Sequence, residues 1–360
     1  MIGAWRLERR TEPSRTATAL APLAAIAFTL LVCAALVAWA GAPIGQTYAL
    51  LFDGAFGSRF AISETLTRAT PLILTGLACA VAFRARLFNI GAEGQLYLGA
   101  LAAVAVGGMH GGEALDWPMP VLFAAMMAAA ALAGAVWLLI PALMKAKLGV
   151  DEVVTTLLGN FIVLLIVSMM LDGPMKDPMA MGWPQSVALA SDLELGKLIE
   201  RTRAHTGLLW AAGLAVVVWL VNRYTVFGFR MRAVGANAHA SKFLGLPVTR
   251  VMIGTALLSG ALAGLAGAIE VAGRTSYVTL DMSPGYGYSG VVVAMLAALH
   301  PLGVVAAAVF VAGVLVGADS MSRAIAVPNY IADVIVATAL LSMLVAMLFS
   351  QYRLRRMGAA

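Results

Sequence analysis

Charged residues are scarce in this sequence. Asp, Glu, Lys and Arg make up 12% of the 360 residues, and hydrophobic residues make up 61%, whereas soluble domains have roughly 25% charged and 45–50% apolar residues. A soluble fold and a separate soluble catalytic domain are therefore excluded. The uncharged runs are also much longer than the roughly ten-residue alternating segments of a transmembrane β-barrel. The composition predicts an all-α integral membrane protein.

Cysteine and histidine are equally rare, and this limits the chemistry available to the chain. Cys33 and Cys79 lie in apolar stretches and are expected to be packing residues, while the four histidines are scattered over different loops. The sequence has no G-x-x-x-x-G-K-[ST] phosphate loop, no H-E-x-x-H pair and no G-x-S-x-G elbow. A membrane-embedded hydrolase would need a nucleophile and a base in one site, and the sequence offers no such pair. We therefore predict no metal, no catalytic residue and no cofactor bound by this chain.

The gaps between charged residues predict about ten transmembrane helices, because a charge in the middle of the bilayer is costly. After Asp281, a long uncharged run is divided into two short pieces by His300 and Pro301. The predicted spans lie near residues 19–41, 61–83, 91–109, 118–141, 153–171, 207–222, 251–272, 286–299, 301–318 and 330–350.

Basic residues predict how these helices are oriented. With ten crossings and the N-terminus inside, 16 of the 24 Lys and Arg residues fall on the cytoplasmic side, which matches the positive-inside rule. We therefore attribute the net charge of +6 to the membrane topology of the chain and expect no binding to nucleic acid. The permease domain spans residues 19–350, with an external loop at 172–206 and a cytoplasmic loop at 222–250. Residues 1–18 and 351–360 form the cytoplasmic basic termini.

Two short patterns concern helix packing and symmetry. The segments 76–81 and 264–269 are similar and lie in spans that cross in opposite directions, as an inverted repeat of five plus five helices requires. Small residues around Gly260 and Gly264 predict close helix contact. Glu64 with Arg68, and Glu270 with Arg274, have the i,i+4 spacing of helical ion pairs.

The most informative stretch begins at Arg84 and Arg86, which mark the cytoplasmic surface. Asn89, Glu93 and Gln95 then enter a span within its first two turns. Polar side chains in a span normally face the bundle interior or a water-filled cavity. Two interpretations stay open: a polar cluster that locks helices together, or the lining of a pathway or gate.

The run Phe88-Asn89-Ile90-Gly91-Ala92-Glu93-Gly94-Gln95 closely resembles the signature of permease subunits of ATP-binding-cassette (ABC) importers. The resemblance is to the nucleoside and simple-sugar type, which is related to ribose and branched-chain amino acid permeases. Segments 149–160, 259–268 and 285–290 resemble later motifs of that family, and the likeness covers about residues 60 to 345. The first motif looks most like the nucleoside branch.

The resemblance also assigns a role to residues 235–247. In such permeases a short helix at this place docks into a groove of the ATPase subunit, and Ala240, Ser241 and Gly245 fit the usual spacing of two small residues and a glycine. A Ser stands where Ala is commoner, and no Glu precedes the pair. The residues expected to take part in docking are Asn237, Ala240, Ser241, Phe243, Leu244 and Gly245. The alternative is a membrane-surface helix with its basic residues at lipid headgroups.

The complete transporter implied by the resemblance has several subunits in the inner membrane of a bacterial cell. ATP and magnesium would be bound by a separate ATPase subunit, beside a second permease that is identical or similar to this chain. An extracytoplasmic binding protein would deliver a nucleoside or simple sugar. The residues expected along the substrate pathway are Phe88, Asn89, Glu93, Gln95, Asn160, Tyr286 and Tyr288. The alternative function is an ion-gradient-driven secondary transporter or channel, with Glu93, Glu270 or Asp333 as relays.

Overall fold

The computed structural model describes residues 5–9, 15–39, 41, 43–113, 115–325, 334–335, 337–338, 341–342, 345–346 and 352–356. Helices dominate these residues, and one short antiparallel strand pair joins β1 to β2. The elements are β1 Trp5–Arg9, α1 Arg15–Trp39, α2 Ile44–Phe56, α3 Arg59–Arg84, α4 Ala92–Gly107, α5 Met119–Leu148, α6 Glu152–Asp172, α7 Gly207–Tyr224, α8 Val226–Ala236, α9 Ala238–Phe243, α10 Val248–Glu270, α11 Tyr286–Leu296, α12 Pro301–Ile325 and β2 Tyr352–Arg356.

Six of the described helices are long and apolar enough to cross a membrane, namely α3, α5, α6, α7, α10 and α12. Helices α4 and α11 have 16 and 11 residues and are shorter than a full crossing needs. Most of the predicted tenth span, including Asp333, lies outside the described residues. The helical class is confirmed, whereas the predicted count of ten spans is not established by these helices.

Two boundaries differ in how well the charge pattern predicted them. The break near Pro301 is confirmed, because α11 ends at Leu296 and α12 begins at Pro301 after a turn through Ala298 and Leu299, both with positive φ. The 13-residue helix α2 was not predicted, because it lies between the spans predicted near 19–41 and 61–83 and carries the acidic residue Asp53. One acidic residue is therefore compatible with a short helix and does not by itself indicate a loop.

Residues 56–312 form one compact unit in which α10 packs against α3, α4 and α5. Glycines make this close approach possible. A Cβ on Gly99 would overlap the carbonyl of Gly264, and a Cβ on Gly134 would overlap the carbonyl of Gly260. The predicted close contact through small residues is confirmed.

The segment 173–206, which falls in the predicted external loop, has little regular structure but is firmly attached within this unit. Ser186 N–H donates to Val278 O at 3.0 Å, and Leu189 N–H donates to Ser276 O at 2.7 Å. These bonds hold the segment against the stretch that follows α10. That stretch opens with a π-helical turn at Val271–Thr275.

The second unit comprises residues 1–55 and 313–360. In it, Tyr48 of α2 donates a hydrogen bond to Leu30 O of α1. A Cβ on Gly317 of α12 would overlap the carbonyl of Leu51, so α2 and this part of α12 also lie in contact. The strand pair brings Trp5 opposite Arg356, which places the two chain ends together.

Candidate functional site

The turn between α3 and α4 is built around the buried side chain of Asn89. Its Nδ2 donates to Gln95 Oε1 at 2.9 Å and to Ser259 Oγ at 3.1 Å. Its Oδ1 accepts from Gly91 N–H and from Gln95 Nε2, both at 2.9 Å. Asn89 and Gln95 are 0% and 1% exposed. The hydrogen-bonding capacity of Asn89 is fully used in holding this turn against α10.

Helix α6 fixes the other side of the same turn through Asn160. Its Oδ1 accepts from Gly94 N–H at 2.9 Å, while its Nδ2 donates to Ile90 O at 3.0 Å and to Tyr288 Oη at 3.1 Å. A Cβ on Gly94 would come within 2.9 Å of Asn160 Oδ1, so glycine is needed for this approach. One amide thereby joins α4, α6 and α11.

Glu152 at the start of α6 is a further anchor that sequence reasoning missed. Its Oε1 accepts from Phe88 N–H at 3.0 Å and pairs with Lys145, whose Nζ also donates to Arg86 O at 2.6 Å. Asp151 caps α6 by accepting from Val153 N–H at 2.8 Å. The only sequence signal was the cluster of acidic residues before an apolar run, which is typical of a helix start.

Glu93 joins α4 to α11. Its Oε2 accepts from Gly287 N–H at 2.6 Å, and the residue is 3% exposed. A Cβ on Gly287 would overlap the Glu93 backbone, so the helices meet here without an intervening side chain.

The seven predicted pathway residues divide into groups in the structure. Asn89 and Gln95 bond to each other, and Asn160 bonds to Tyr288. Phe88 and Tyr288 are partly open, at 43% and 38% exposure. Tyr286 is fully buried and lies in a different cluster.

That second cluster consists of charged groups between the start of α3 and the end of α10. Arg68 Nε lies 3.7 Å from Glu64 Oε1, and Arg274 pairs with Glu270, so both predicted i,i+4 pairs are confirmed. Arg274 Nη1 also donates to Tyr286 Oη at 3.2 Å. Arg203 of the segment 173–206 lies 3.6 Å from Glu64 Oε2, a contact between residues far apart in the chain that sequence reasoning missed.

A cavity of about 580 Å³ opens beside this cluster. Its wall includes Arg203 and Lys197 from the segment 173–206, and Arg274, Tyr277 and Asp281 from the stretch after α10. Polar and charged side chains of both signs therefore face this space. Within the described part of the chain, no group of three or more His, Cys, Asp or Glu residues could hold a metal ion.

The short helix α9 lies at the opposite end of α10. Asn237 caps it by accepting from Ala240 N–H through Oδ1 at 3.0 Å, and Leu246 N–H closes its other end on Ser241 O at 2.9 Å. Ser241 is 3% exposed, whereas Phe243 and Leu244 are 93% and 77% exposed. The helix is thus fixed at both ends and presents two apolar side chains outward.

Gly245 follows Leu244, and its backbone lies in the left-handed region, at φ +78°. A side chain there would be strained, although the space around it is open. Of the six predicted docking residues, Ala240 is also exposed and Asn237 and Ser241 support the helix.

Comparison with known proteins connects these features to a family. The model of the branched-chain amino acid transport system permease component matches residues 61–352. The chain is 36% identical over 325 residues to the guanosine ABC transporter permease protein NupP of Bacillus subtilis, covering 89% of this chain and 92% of that protein. It is 35% identical over 357 residues to the glucose ABC transporter permease protein TsgB13 of Haloferax volcanii, covering 96% and 92%.

A third relative is the nucleoside ABC transporter permease protein NupB of Lactococcus lactis, at 30% identity over 318 residues and 86% of each chain. The family match covers most of the chain and contains both polar clusters and α9. The chain belongs to the family of permease components of branched-chain amino acid type transport systems.

Proposed function

We propose that the chain is the membrane-spanning permease subunit of an ABC importer for a nucleoside or simple sugar. ATP and magnesium are bound by a partner ATPase subunit, and this chain performs no covalent chemistry. The proposal is supported by family membership and by relatives named for guanosine, nucleoside and glucose transport. The ion-gradient alternative has no comparable support, because these relatives are named as ABC transporter permeases.

The proposed topology has ten helices, both termini in the cytoplasm of a bacterial inner membrane, and an inverted five-plus-five repeat. The β1–β2 pairing supports an even number of crossings, since two strands that pair with each other lie on the same side of a membrane. Protease protection of tags at each terminus in oriented vesicles measures this directly.

The single observation that best supports ATPase docking is the exposed pair Phe243 and Leu244 at the C-terminal end of α9. Apolar side chains this exposed are costly in water and are typical anchors of protein interfaces. Asn237 and Ser241 hold the helix so that little conformational entropy is lost when a partner binds. Lys242 on the same helix supplies a positive charge at the edge of the anchor.

Co-purification with the ATPase tests this role. Phe243→Ala with Leu244→Ala is expected to reduce ATPase recovery by at least about tenfold, since buried aromatic anchors are commonly worth 2 kcal/mol or more. Phe229→Ala is the matched control, because Phe229 is 58% exposed on the neighbouring α8 but lies outside α9. Equal recovery for both variants would contradict docking through α9.

Along the pathway, we propose different roles for the predicted residues. Phe88 and Tyr288 are partly exposed, and their aromatic rings are suited to stack against a ring of the substrate as it passes. Asn160 and Glu93 position α11 behind them, while Asn89 and Gln95 hold the turn before α4. Tyr286 connects α11 to the outer charge cluster. A second permease completes the pathway, and the external segment 173–206 offers the surface for a binding protein.

Uptake by the reconstituted transporter tests function and substrate together. Vesicles containing this chain, the second permease, the ATPase and the binding protein are expected to accumulate radiolabelled guanosine or glucose only with internal ATP and magnesium. The relatives named for guanosine and glucose have nearly the same sequence identity to this chain, so both substrates are tested in parallel. Uptake by this chain alone, driven by a proton or sodium gradient, would contradict the proposal.

A further inference from the structure

A second cavity, of about 510 Å³, lies where α7 ends, near the last residue of α3 and the turn before α12. It is separate from the polar clusters and from the docking pair on α9. Its lining residues are Arg84, Trp219, Asn222, Arg223, Tyr224, Arg232, His300 and Pro301.

The charge of this cavity has one sign. Three arginines and a histidine line it, and no Asp or Glu is found among its lining residues. Arg84 Nε donates to Leu299 O at 3.1 Å, and Arg232 donates through Nη1 to Asn222 O. These bonds orient two guanidinium groups beside each other. Grouping like charges is unfavourable unless an anion binds between them.

Asn222 gives a second, independent sign of a ligand. The residue is 3% exposed, and neither Oδ1 nor Nδ2 of its side chain has a hydrogen-bond partner. A buried amide without partners is destabilising, so its presence in the cavity wall calls for a bound group. Nδ2 can supply a neutral donor to an oxyanion whose charge is neutralised by the arginines.

The surface that leads to the cavity indicates which kind of anion binds. Leu209, Val216, Leu220 and Tyr224 are 43% to 70% exposed and recur at helical spacing along α7. This apolar stripe ends at the cavity, where Trp219 and Tyr224 pack edge to face at 5.7 Å. Aromatic residues of this kind are typical of the membrane interface, at the depth of the lipid headgroups.

We propose that this cavity binds the phosphate headgroup of an anionic phospholipid of the cytoplasmic leaflet. Arg84, Arg223 and Arg232 neutralise the phosphate, Asn222 donates to it, and the acyl chains lie along the stripe of α7. Basic pockets at the cytoplasmic ends of membrane helices suit such headgroups. The side of the membrane rests on the proposed topology, whereas the anion chemistry does not.

Lipid binding by the unmodified protein is the first test. Native mass spectrometry of the purified chain is expected to show phosphatidylglycerol retained at a stoichiometry that phosphatidylcholine does not reach. The unfolding temperature is expected to rise with added phosphatidylglycerol. An equal rise with phosphatidylcholine would overturn the proposal. An equal rise with millimolar inorganic phosphate alone would assign the cavity to a soluble anion and overturn the lipid source.

Two substitutions on the same helix locate the site. Arg232→Gln is expected to weaken phosphatidylglycerol binding about tenfold, because one charge-assisted contact is removed. Arg230→Gln is the matched control, since Arg230 is exposed on α8 but does not line the cavity. Equal weakening by both would reduce the effect to general surface charge and overturn a specific site.

Asn222→Leu separates a ligand-binding role from a structural one. Without anionic lipid this variant is expected to unfold at a higher temperature than the parent chain, because a buried amide without partners is replaced by an apolar group. With phosphatidylglycerol its stabilisation is expected to be smaller than that of the parent. A lower unfolding temperature in both conditions would overturn the role given to Asn222.

Discussion

The Glu93 carboxylate accepts a hydrogen bond from the backbone N–H of Gly287, with 2.6 Å between Oε2 and N. This bond joins the first turn of α4 to the first turn of α11, two helices too short to cross a membrane alone. Glu93 therefore acts on α11 as a hydrogen-bond acceptor. The negative charge of Glu93 can be removed without removing this acceptor by the substitution Glu93→Gln.

Glu93→Ala is expected to lower stability by about 1–3 kcal/mol, because the buried N–H of Gly287 loses its partner. Glu93→Gln keeps an acceptor oxygen and is expected to lose much less and to retain ATP-driven uptake. Thermal unfolding in detergent and uptake into vesicles measure the two effects. If Glu93→Gln abolished uptake while the fold was intact, Glu93 would be a proton relay, as the ion-gradient alternative requires.

The contact between α4, α5 and α10 gives a second prediction. Gly264→Val places side-chain atoms against the Ala130 carbonyl of α5, and backbone cannot move aside as a flexible side chain can. Overpacking of this kind costs about 1–3 kcal/mol or more, so a lower yield of monodisperse protein is expected. Gly213→Val is the control, because nothing lies within 4 Å of a Cβ at Gly213. Similar losses for both would mean that valine itself is poorly tolerated.

Local patterns predicted those features that depend on residues close together in the chain. Both i,i+4 ion pairs and the break before Pro301 were predicted because their causes lie within one helix turn or one short run. The polar residues after Arg86 were identified because charge and amide groups are costly in a span. The sequence left open which helices those residues join.

Long-range contacts could not be predicted in this way. Arg203 lies 139 positions after Glu64, and nothing in either local sequence signals their contact. The partnership of Asn89 with Ser259 depends in the same way on how α10 packs against α3 and α4. The helix α2 was missed because it lies between two predicted spans and carries the acidic residue Asp53.

The charge cluster at the end of α10 provides a third prediction, in which burial decides the size of the stability loss. Glu270 is 0% exposed, so Glu270→Gln leaves Arg274 without its buried counter-charge and is expected to cost about 3–5 kcal/mol. The double variant Glu270→Leu with Arg274→Leu is expected to lose less than Glu270→Gln alone. Chemical unfolding of the single and double variants measures the coupling.

Arg203→Ala is the matched comparison for this cluster. Its side chain is 62% exposed, so its pairing with Glu64 is screened by solvent and is expected to be worth no more than about 1 kcal/mol. A loss as large as that of Glu270→Gln would show that the external segment depends on Arg203 for its attachment.

His205, just before α7, gives a prediction for the dependence of stability on pH. Burial, reinforced by the nearby positive charge of Arg274, lowers the pKa of His205 to about 4. Its Nδ1 accepts from Gly207 N–H at 3.2 Å, which requires the neutral ring, and a Cβ on Gly273 would overlap that ring. The external segment thus meets the π-helical turn after α10 through an uncharged imidazole.

The sign of the effect follows from proton binding. Between about pH 6.5, the ordinary pKa of histidine, and about pH 4, the unfolded chain binds a proton at His205 that the folded chain does not. Stability is therefore expected to fall as the pH is lowered through this window. His205→Gln lacks this group, so the difference in unfolding temperature between pH 7 and pH 5 should be smaller than in the parent chain. If the parent and His205→Gln showed the same difference, His205 would bind its proton over the same pH range in the folded and unfolded chains.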